Sequence, residues 1–344
     1  MLADLAILLG ALAVLVKSAD WLVENAVHLA RRVHTSDLLI GLLITSVGTS
    51  LPELTSSLAA ALAGSPALVI GNVSGSNIAN IGLVIGVAAL VRPFATAPKM
   101  HDRDGFIMIA AAVLFFALVQ DNRLGRLEAA AFLFLYTAYV AFVARTDRGE
   151  VEQRFADFLK FTFGLEYARP VVRGLRKRRP RTGSPARASV HRAGLGREAT
   201  SLVVSTAALV VSARYVVVGA VGLAGRLDVP ENLIGLSLVA VGTSLPELLV
   251  AVAAARRGNA ELIVGNVIGS NIANVLLILG LTGLVRPLEV PELSVVYSIP
   301  ISLFFSLALL HFIRTDWRIS RVQGALVVVA YLAFLGTAFV LGWG

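Results

Sequence analysis

The hexapeptide Gly48-Thr49-Ser50-Leu51-Pro52-Glu53 occurs twice in this chain, the second time at residues 242–247. Each copy lies inside an apolar segment long enough to cross a bilayer, with its glutamate near the middle. Holding a carboxylate at that depth costs on the order of 2.5 kcal/mol or more, which makes an unpaired structural glutamate there improbable. Glu53 and Glu247 therefore predict a functional site inside a membrane protein.

The hexapeptide belongs to a longer repeat whose two copies are offset by 194 residues. Residues 41–86 read GLLITSVGTSLPELTSSLAAALAGSPALVIGNVSGSNIANIGLVIG, and residues 235–280 read GLSLVAVGTSLPELLVAVAAARRGNAELIVGNVIGSNIANVLLILG. Without a gap, 26 of the 46 aligned positions are identical. Chance and shared hydrophobicity do not produce this degree of identity, so the chain contains an internal repeat.

The composition agrees with a membrane protein. The chain has 344 residues, of which 57% are hydrophobic and 15% are charged, and its mean hydropathy is +0.80. A soluble domain averages roughly 25% charged residues. There is no cysteine, which excludes disulfides and thiolate metal sites.

Apolar segments bounded by charges, proline and glycine predict ten membrane helices, five in each half of the chain. They lie near residues 3–30, 37–63, 66–91, 105–120, 125–144, 198–225, 231–255, 260–285, 293–313 and 321–341. Because five is an odd number, the second half enters the membrane from the opposite side. We expect an all-α membrane protein of ten transmembrane helices, built as two inverted five-helix repeats (1–145 and 198–344) with broken core helices, the architecture of many secondary transporters.

Positive charge is concentrated between the two repeats. Of the 30 lysines and arginines, 14 fall between Arg145 and Arg197, which predicts a basic cytoplasmic loop at 146–197 rather than a nucleic-acid site. With that loop inside, ten further basic residues fall inside and four outside, and both termini lie outside. The stretch from Phe155 to Tyr167 mixes aromatic and charged residues, so contact with anionic lipid is an alternative to a simple topology anchor.

Hydroxyls and amides accompany the two glutamates. Both hexapeptides bring threonine and serine, and the motif Gly75-Ser76-Asn77-Ile78-Ala79-Asn80 recurs at 269–274. The predicted ligands are Glu53, Glu247, Thr49, Thr243, Ser50, Ser244, Ser76, Ser270, Asn80 and Asn274. Such an all-oxygen set suits hard cations such as Ca²⁺, which takes 6–8 oxygens, and not Zn²⁺ or copper. A structural alternative remains, because Ser50 to Glu53 also fits a capping box.

These motifs resemble the alpha repeats of the cation/Ca²⁺ exchanger superfamily, especially prokaryotic sodium/calcium exchangers. The resemblance implies antiport of Na⁺ against Ca²⁺ across the inner (plasma) membrane, with no cofactor. It implies central ligation by Glu53 and Glu247 with Thr49 and Thr243 beside them, and flanking Na⁺ positions lined by the serines. It adds backbone carbonyls near Ser46 and Ala240 as ligands, and an outer helix pair (3–30 and 198–225) that slides to alternate access.

The chain departs from some relatives at Asn274, where they carry aspartate. Potassium-dependent relatives carry an acid at this kind of position, so the resemblance argues against K⁺ dependence. Proton-coupled relatives use a different motif in place of Gly-Thr-Ser-Leu-Pro-Glu, which favours Na⁺ as the counter-ion.

Three rival functions remain open from the sequence. A Ca²⁺/H⁺ antiporter is the nearest, an ion channel shares the acidic midplane, and a membrane enzyme would use the glutamates as acid and base. No nucleophile–histidine pair or metal-ligand motif supports the enzyme. Outside the repeats, Asp20 and Arg214 are equivalent under the 194-residue offset, and we hypothesise that they form an ion pair between the outer helices.

Overall fold

The structure, a computed structural model, describes residues 2–33, 35–146, 154–164, 192–226 and 240–340. Most of the basic loop 146–197 and the first part of the predicted helix 231–255 lie outside these residues. In the described part the chain is almost entirely helical.

The first repeat contains eight α-helices, three π-helical segments and two short strands. They are α1 (Leu2–Val33), α2 (Asp37–Ile40), π1 (Gly41–Thr45), α3 (Ser46–Thr49), α4 (Leu51–Ala63), α5 (Pro66–Ala79), π2 (Asn80–Ile85), α6 (Gly86–Val91), β1 (Phe94–Ala95), π3 (Met100–Gly105), α7 (Phe106–Leu118), β2 (Arg123–Leu124) and α8 (Arg126–Thr146). The loop after the first repeat contains a further helix, α9 (Phe155–Phe163).

The second repeat follows the same order in its described residues. It comprises α10 (Arg192–Arg226), α11 (Ala240–Thr243), α12 (Leu245–Arg257), α13 (Ala260–Ile272), π4 (Ala273–Ile278), α14 (Leu279–Val285), β3 (Leu288–Glu289), π5 (Ser294–Ser298), α15 (Ile299–Arg314), β4 (Arg318–Ile319) and α16 (Arg321–Val340).

Seven of the described helices are long and apolar enough to cross a membrane, or eight when the bent pair Asp37–Thr49 and Leu51–Ala63 is taken as one span. Every predicted segment coincides with helix wherever the structure describes it, and most boundaries agree within a few residues. The total of ten spans stays a prediction, because residues 227–239 lie outside the described part.

The break in the first core span falls at Ser50, between α3 and α4. The two pieces are inclined by 45°, and Ser50 has φ −84° and ψ 9°, outside helical geometry. Ser244 has nearly the same conformation, φ −89° and ψ 4°, between α11 and α12. In both copies a proline stands at the start of the following helix, where its missing N–H costs nothing and its fixed φ suits the first turn.

Glycines let the two core spans approach at backbone distance. A Cβ added at Gly269 in α13 would lie 2.4 Å from the Leu42 carbonyl oxygen in π1, and one at Gly265 would lie 2.7 Å from the Leu38 carbonyl oxygen. No side chain fits in either place. The second repeat's helix α13 is therefore pressed against the broken helix of the first repeat.

Among the elements that the structure describes, the outer helices α1 and α10 pack along each other most extensively. Arg32 forms an ion pair with Glu198, and Asn25 Nδ2 donates to the Ser201 carbonyl at 3.3 Å and to Ser205 Oγ at 3.4 Å.

The hypothesised pair between Asp20 and Arg214 is wrong for this structure, because no ion pair joins them in the described residues. The side chain of Arg214 is exposed. Asp20 lies instead near α12, where its carbonyl oxygen accepts a hydrogen bond from Arg257 Nη2 at 3.3 Å. Equivalence under the repeat places both residues on outer helices but does not make them face each other.

Two small antiparallel sheets connect the repeats. Phe94 and Ala95 pair with Ile319 and Arg318, and Arg123 and Leu124 pair with Glu289 and Leu288. Each sheet thus consists of one strand from each repeat. Strands of two residues carry no detectable periodicity, so the sequence did not predict them.

Candidate functional site

Glu53 and Glu247 occupy the first turns of α4 and α12, the two helices that follow the breaks. Their exposed fractions are 1% and 0%, and the hydroxyl of Ser50, just before the helix of Glu53, donates to Glu247 Oε1 at 3.2 Å. The N-terminal ends of the two helices provide a positive dipole next to each carboxylate. An ionised carboxylate buried this deeply is costly unless a group of opposite charge neutralises it.

Ser50 does not cap its helix. No side-chain cap hydrogen bond is present at Ser50 or at Ser244, so the capping-box alternative is wrong. The Ser50 hydroxyl instead donates to Glu247 Oε1 at 3.2 Å and lies 3.0 Å from Ser270 Oγ. A hydroxyl of the first repeat thus contacts the carboxylate and a hydroxyl of the second.

The Ser46 carbonyl lies within this group of side chains. It accepts hydrogen bonds from the Thr49 hydroxyl at 3.3 Å and from the Ser270 hydroxyl at 3.4 Å. The Ser46 hydroxyl points elsewhere and donates to the Leu42 carbonyl at 2.5 Å. At this position the backbone, not the side chain, faces the other predicted ligands.

Several buried oxygens have no hydrogen-bond partner among the described residues. They include Glu53 Oε2, Glu247 Oε2, Asn80 Oδ1, Asn274 Oδ1 and Ser244 Oγ. Leaving a buried polar atom unsatisfied costs about 1–3 kcal/mol, and more when it is charged. Four of these five atoms can only accept, and carboxylate and amide oxygens of this kind are ligands that hard cations prefer.

The remaining predicted ligands lie on the same helices. Ser76 is buried in α5, which packs against the Glu53 helix α4. Thr243 is half-buried at the end of α11, which Ala240 begins; the Ala240 side chain lies outside the described residues. The segments that carry Asn80 and Asn274 contact α12 and α4 respectively, so each of these segments packs against the other repeat's glutamate helix.

Four asparagines near the site were not predicted as ligands, and the structure gives each a polar contact there. Asn72 Nδ2 donates to the Glu53 carbonyl at 3.1 Å and to Ser57 Oγ at 2.8 Å. Asn266 Oδ1 accepts from the Thr49 hydroxyl at 3.3 Å. Asn77 and Asn271 bind the amides of Asn274 and Asn80. Identity in both copies of the repeat was the available signal for all four.

Charged groups are scarce in this site. In the part of the chain that the structure describes, no cluster of three or more histidine, cysteine, aspartate or glutamate side chains could hold a metal ion. Two carboxylates with neutral oxygens around them suit a cation that enters and leaves better than a permanently bound one.

The family model described as "Sodium/calcium exchanger protein" matches residues 4–145 and 198–340. The chain is 43% identical to the sodium/calcium exchanger MaX1 of Methanosarcina acetivorans, over 97% of each sequence. It is 34% identical to the inner membrane protein YrbG of Escherichia coli, over 98% of each.

A solved structure has the same fold. The sodium-calcium exchanger NCX_Mj, soaked with Na⁺ and Sr²⁺, superposes with a TM-score of 0.78 at 26% sequence identity, covering 97% of this chain and 98% of that one. The match extends over both repeats.

Proposed function

The chain belongs to the sodium/calcium exchanger family, and we propose that it is a secondary active antiporter that exchanges Na⁺ for Ca²⁺ across the membrane by alternating access. The observation that supports this most directly is the pair of buried glutamates. Glu53 and Glu247 come from different repeats, and each leaves one carboxylate oxygen without a partner among the described residues.

Charge balance at the two glutamates implies that Na⁺ and Ca²⁺ compete for the same site. Two carboxylates neutralise one Ca²⁺ or two Na⁺, so the two cargoes need the same ligands in turn. An empty site would carry two negative charges in a medium of low dielectric constant, which disfavours reorientation without cargo. Exchange, rather than uniport, follows from this arrangement.

We assign the ligands as follows. Glu53 and Glu247 bind Ca²⁺ at the centre, with Thr49 and Thr243 beside them. The flanking Na⁺ positions and the backbone contribution use Ser50, Ser244, Ser76, Ser270, Asn80, Asn274 and the carbonyls of Ser46 and Ala240. The contacts of Ser50 and Ser270 with Glu247 and with the Ser46 carbonyl support this grouping.

We propose that residues 1–145 and 198–344 form two inverted repeats, and the strand pairing between the repeats supports this. The β1–β4 sheet joins two loops that the charge rule places inside, and the β2–β3 sheet joins two loops that it places outside. Both pairings suit ten spans with both termini outside and the 146–197 loop in the cytoplasm of a prokaryotic cell.

The loop helix α9 supports a place for this loop at the membrane surface. Phe158 and Phe161 pack on Phe142 of α8, while Phe163 is 71% exposed and Lys160 is exposed beside it. We propose that the basic loop contacts anionic lipid here.

Proteoliposomes test the exchange directly. Purified protein reconstituted with internal Na⁺ should accumulate external Ca²⁺, and the uptake should stop when the Na⁺ gradient is removed. The second candidate, a Ca²⁺/H⁺ antiporter, rests on the same carboxylates, since protons also neutralise them; it predicts uptake driven by a pH gradient with no Na⁺ present. Ca²⁺ flux that needs neither gradient would instead indicate a channel.

A further inference from the structure

We propose that Asn77 and Asn271 are positioning residues that turn the amide oxygens of Asn274 and Asn80 toward the transported cation. The inference rests on the proposed function and deepens it, because it assigns a role to two residues that ligate nothing themselves.

The four asparagines form a reciprocal arrangement between the repeats. Asn274 Nδ2 donates to Asn77 Oδ1 at 2.9 Å, and Asn80 Nδ2 donates to Asn271 Oδ1 at 3.0 Å. All four side chains are buried, with exposed fractions of 4% or less. In each pair, one residue of a repeat holds the amide nitrogen of a predicted ligand from the other repeat.

The orientation of the Asn271 amide is determined by two neighbouring groups that cannot donate a hydrogen bond. Asn271 Nδ2 faces the Asn77 backbone carbonyl at 3.4 Å and Met108 Sδ at 3.8 Å, both of which only accept. The amide of Asn271 therefore directs its oxygen to Asn80. Asn80 must then present its nitrogen to Asn271, which leaves its own oxygen on the opposite side.

That remaining oxygen has no partner in the described residues, and neither has Asn274 Oδ1. An amide that rotated by half a turn would point its partly positive NH₂ group at the cation. Because the oxygen is the only end of the amide that ligates Ca²⁺ or Na⁺, fixing the rotation converts a neutral side chain into a dependable ligand. The acceptors at Asn77 and Asn271 supply that fixation.

A double-mutant cycle separates positioning from general support of the fold. Ca²⁺ binding to the purified full chain is measured by calorimetry for the wild type, Asn77→Leu, Asn274→Ala and the double variant. We expect Asn77→Leu alone to raise the Ca²⁺ dissociation constant about tenfold, as the loss of one buried hydrogen bond implies. In the Asn274→Ala background the same change should alter it less than about twofold.

An equal effect of Asn77→Leu in both backgrounds would overturn the proposal, since Asn77 would then act independently of Asn274. The reciprocal cycle, Asn271→Leu with Asn80→Ala, provides the second test if Asn77→Leu does not fold. Failure of both leucine variants to fold would show a structural role and would also overturn it. If the wild type binds no Ca²⁺, the proposed function fails; if it binds Ca²⁺ and the cycle is additive, only the positioning role fails.

Discussion

At the scale of single residues, the site depends on where hydroxyl and carbonyl oxygens point. The Ser50 hydroxyl contacts Glu247, whereas the Ser46 hydroxyl contacts its own helix and only the Ser46 carbonyl faces the site. Two serines four residues apart therefore have different roles, one through its side chain and one through its backbone, as the resemblance to the exchanger family implies.

We expect Glu53→Gln and Glu247→Gln each to reduce Na⁺-driven Ca²⁺ uptake at least about a hundredfold, because each removes one of the two charges that neutralise the cation. The folded fraction by gel filtration should not fall, since glutamine is isosteric and removes a buried charge. Glu24→Gln, on the half-exposed surface of α1, is the matched control and should transport normally. Normal uptake by either site variant would contradict the assignment.

The two serines give a second prediction. Ser50→Ala removes a hydroxyl bonded to a carboxylate and should raise the KM for transport about tenfold. Ser46→Ala keeps the backbone carbonyl and should leave the KM within about twofold of the wild type. Ca²⁺ uptake at varied ion concentrations measures both, and a Ser46→Ala defect as large as that of Ser50→Ala would argue against ligation by the carbonyl.

The sequence predicted the ligand types at this scale but not their contacts. Depth, charge and repetition predicted Glu53 and Glu247 as site residues, because a buried carboxylate is costly wherever it occurs, and the structure shows that both are buried. The roles of Asn77 and Asn271 depend on pairing between repeats, which is a tertiary property. The capping-box alternative was wrong for the same reason, because the Ser50 hydroxyl donates to the Glu247 carboxylate on another helix.

At the scale of helices and strands, both glutamate helices end in the same way. Gly64 closes α4 with φ 80°, and Gly258 closes α12 with φ 73°. In each case an arginine from the other repeat lies against the glycine: an added Cβ would be 2.6 Å from Arg286 Nη1 at Gly64 and 2.9 Å from Arg92 Nη1 at Gly258. A cation at a helix C-terminus interacts favourably with the helix dipole.

We therefore expect Gly64→Ala and Gly258→Ala each to destabilise the protein by about 1–2 kcal/mol, because a side chain at positive φ is strained and displaces the arginine. Thermal unfolding in detergent should show a Tm lower by a few degrees. Gly336→Ala in α16, where an added Cβ meets no described atom within 4 Å, is the control and should not lower the Tm. Unchanged Tm values for Gly64→Ala and Gly258→Ala would contradict the need for glycine at these two helix ends.

The ends of the helices were the feature that the sequence predicted best. Proline, glycine and charge mark the ends of segments such as Pro66–Val91 and Ala260–Val285, and the structure begins and ends these helices at the predicted positions. The four strands were missed because they form only where two loops from different repeats meet.

At the scale of the whole molecule, α1 and α10 are joined to each other by the Arg32–Glu198 ion pair and by Asn25. Alternating access by sliding requires that these two helices move together past the core. The chain has no native cysteine, so engineered disulfides can test the motion without interference.

We expect a Gly48→Cys/Thr206→Cys disulfide between core helix α3 and outer helix α10 to stop exchange, and reduction to restore it. The added Cβ at Gly48 lies 3.8 Å from Thr206 Cβ, close to the mean separation in disulfides. Leu8→Cys/Gly219→Cys links α1 to α10, with Cβ atoms 3.0 Å apart, and should leave exchange intact after a small adjustment. Active transport by the oxidised Gly48→Cys/Thr206→Cys variant would rule out sliding of α10.

The internal repeat determined how much of the overall architecture the sequence could predict. A constant offset correctly predicted that equivalent segments form equivalent helices, but it failed for Asp20 and Arg214. Equivalence under an offset states that two residues occupy similar surroundings. It does not state that they touch, which depends on how the repeats are packed.

The most direct test of the shared cation site is Ca²⁺ binding to the purified protein, measured by calorimetry at increasing Na⁺ concentration. We predict one bound Ca²⁺ whose apparent affinity falls steadily as Na⁺ rises, and no measurable binding in Glu53→Gln or Glu247→Gln. Ca²⁺ binding that is indifferent to Na⁺, or that persists in both glutamine variants, would contradict the account.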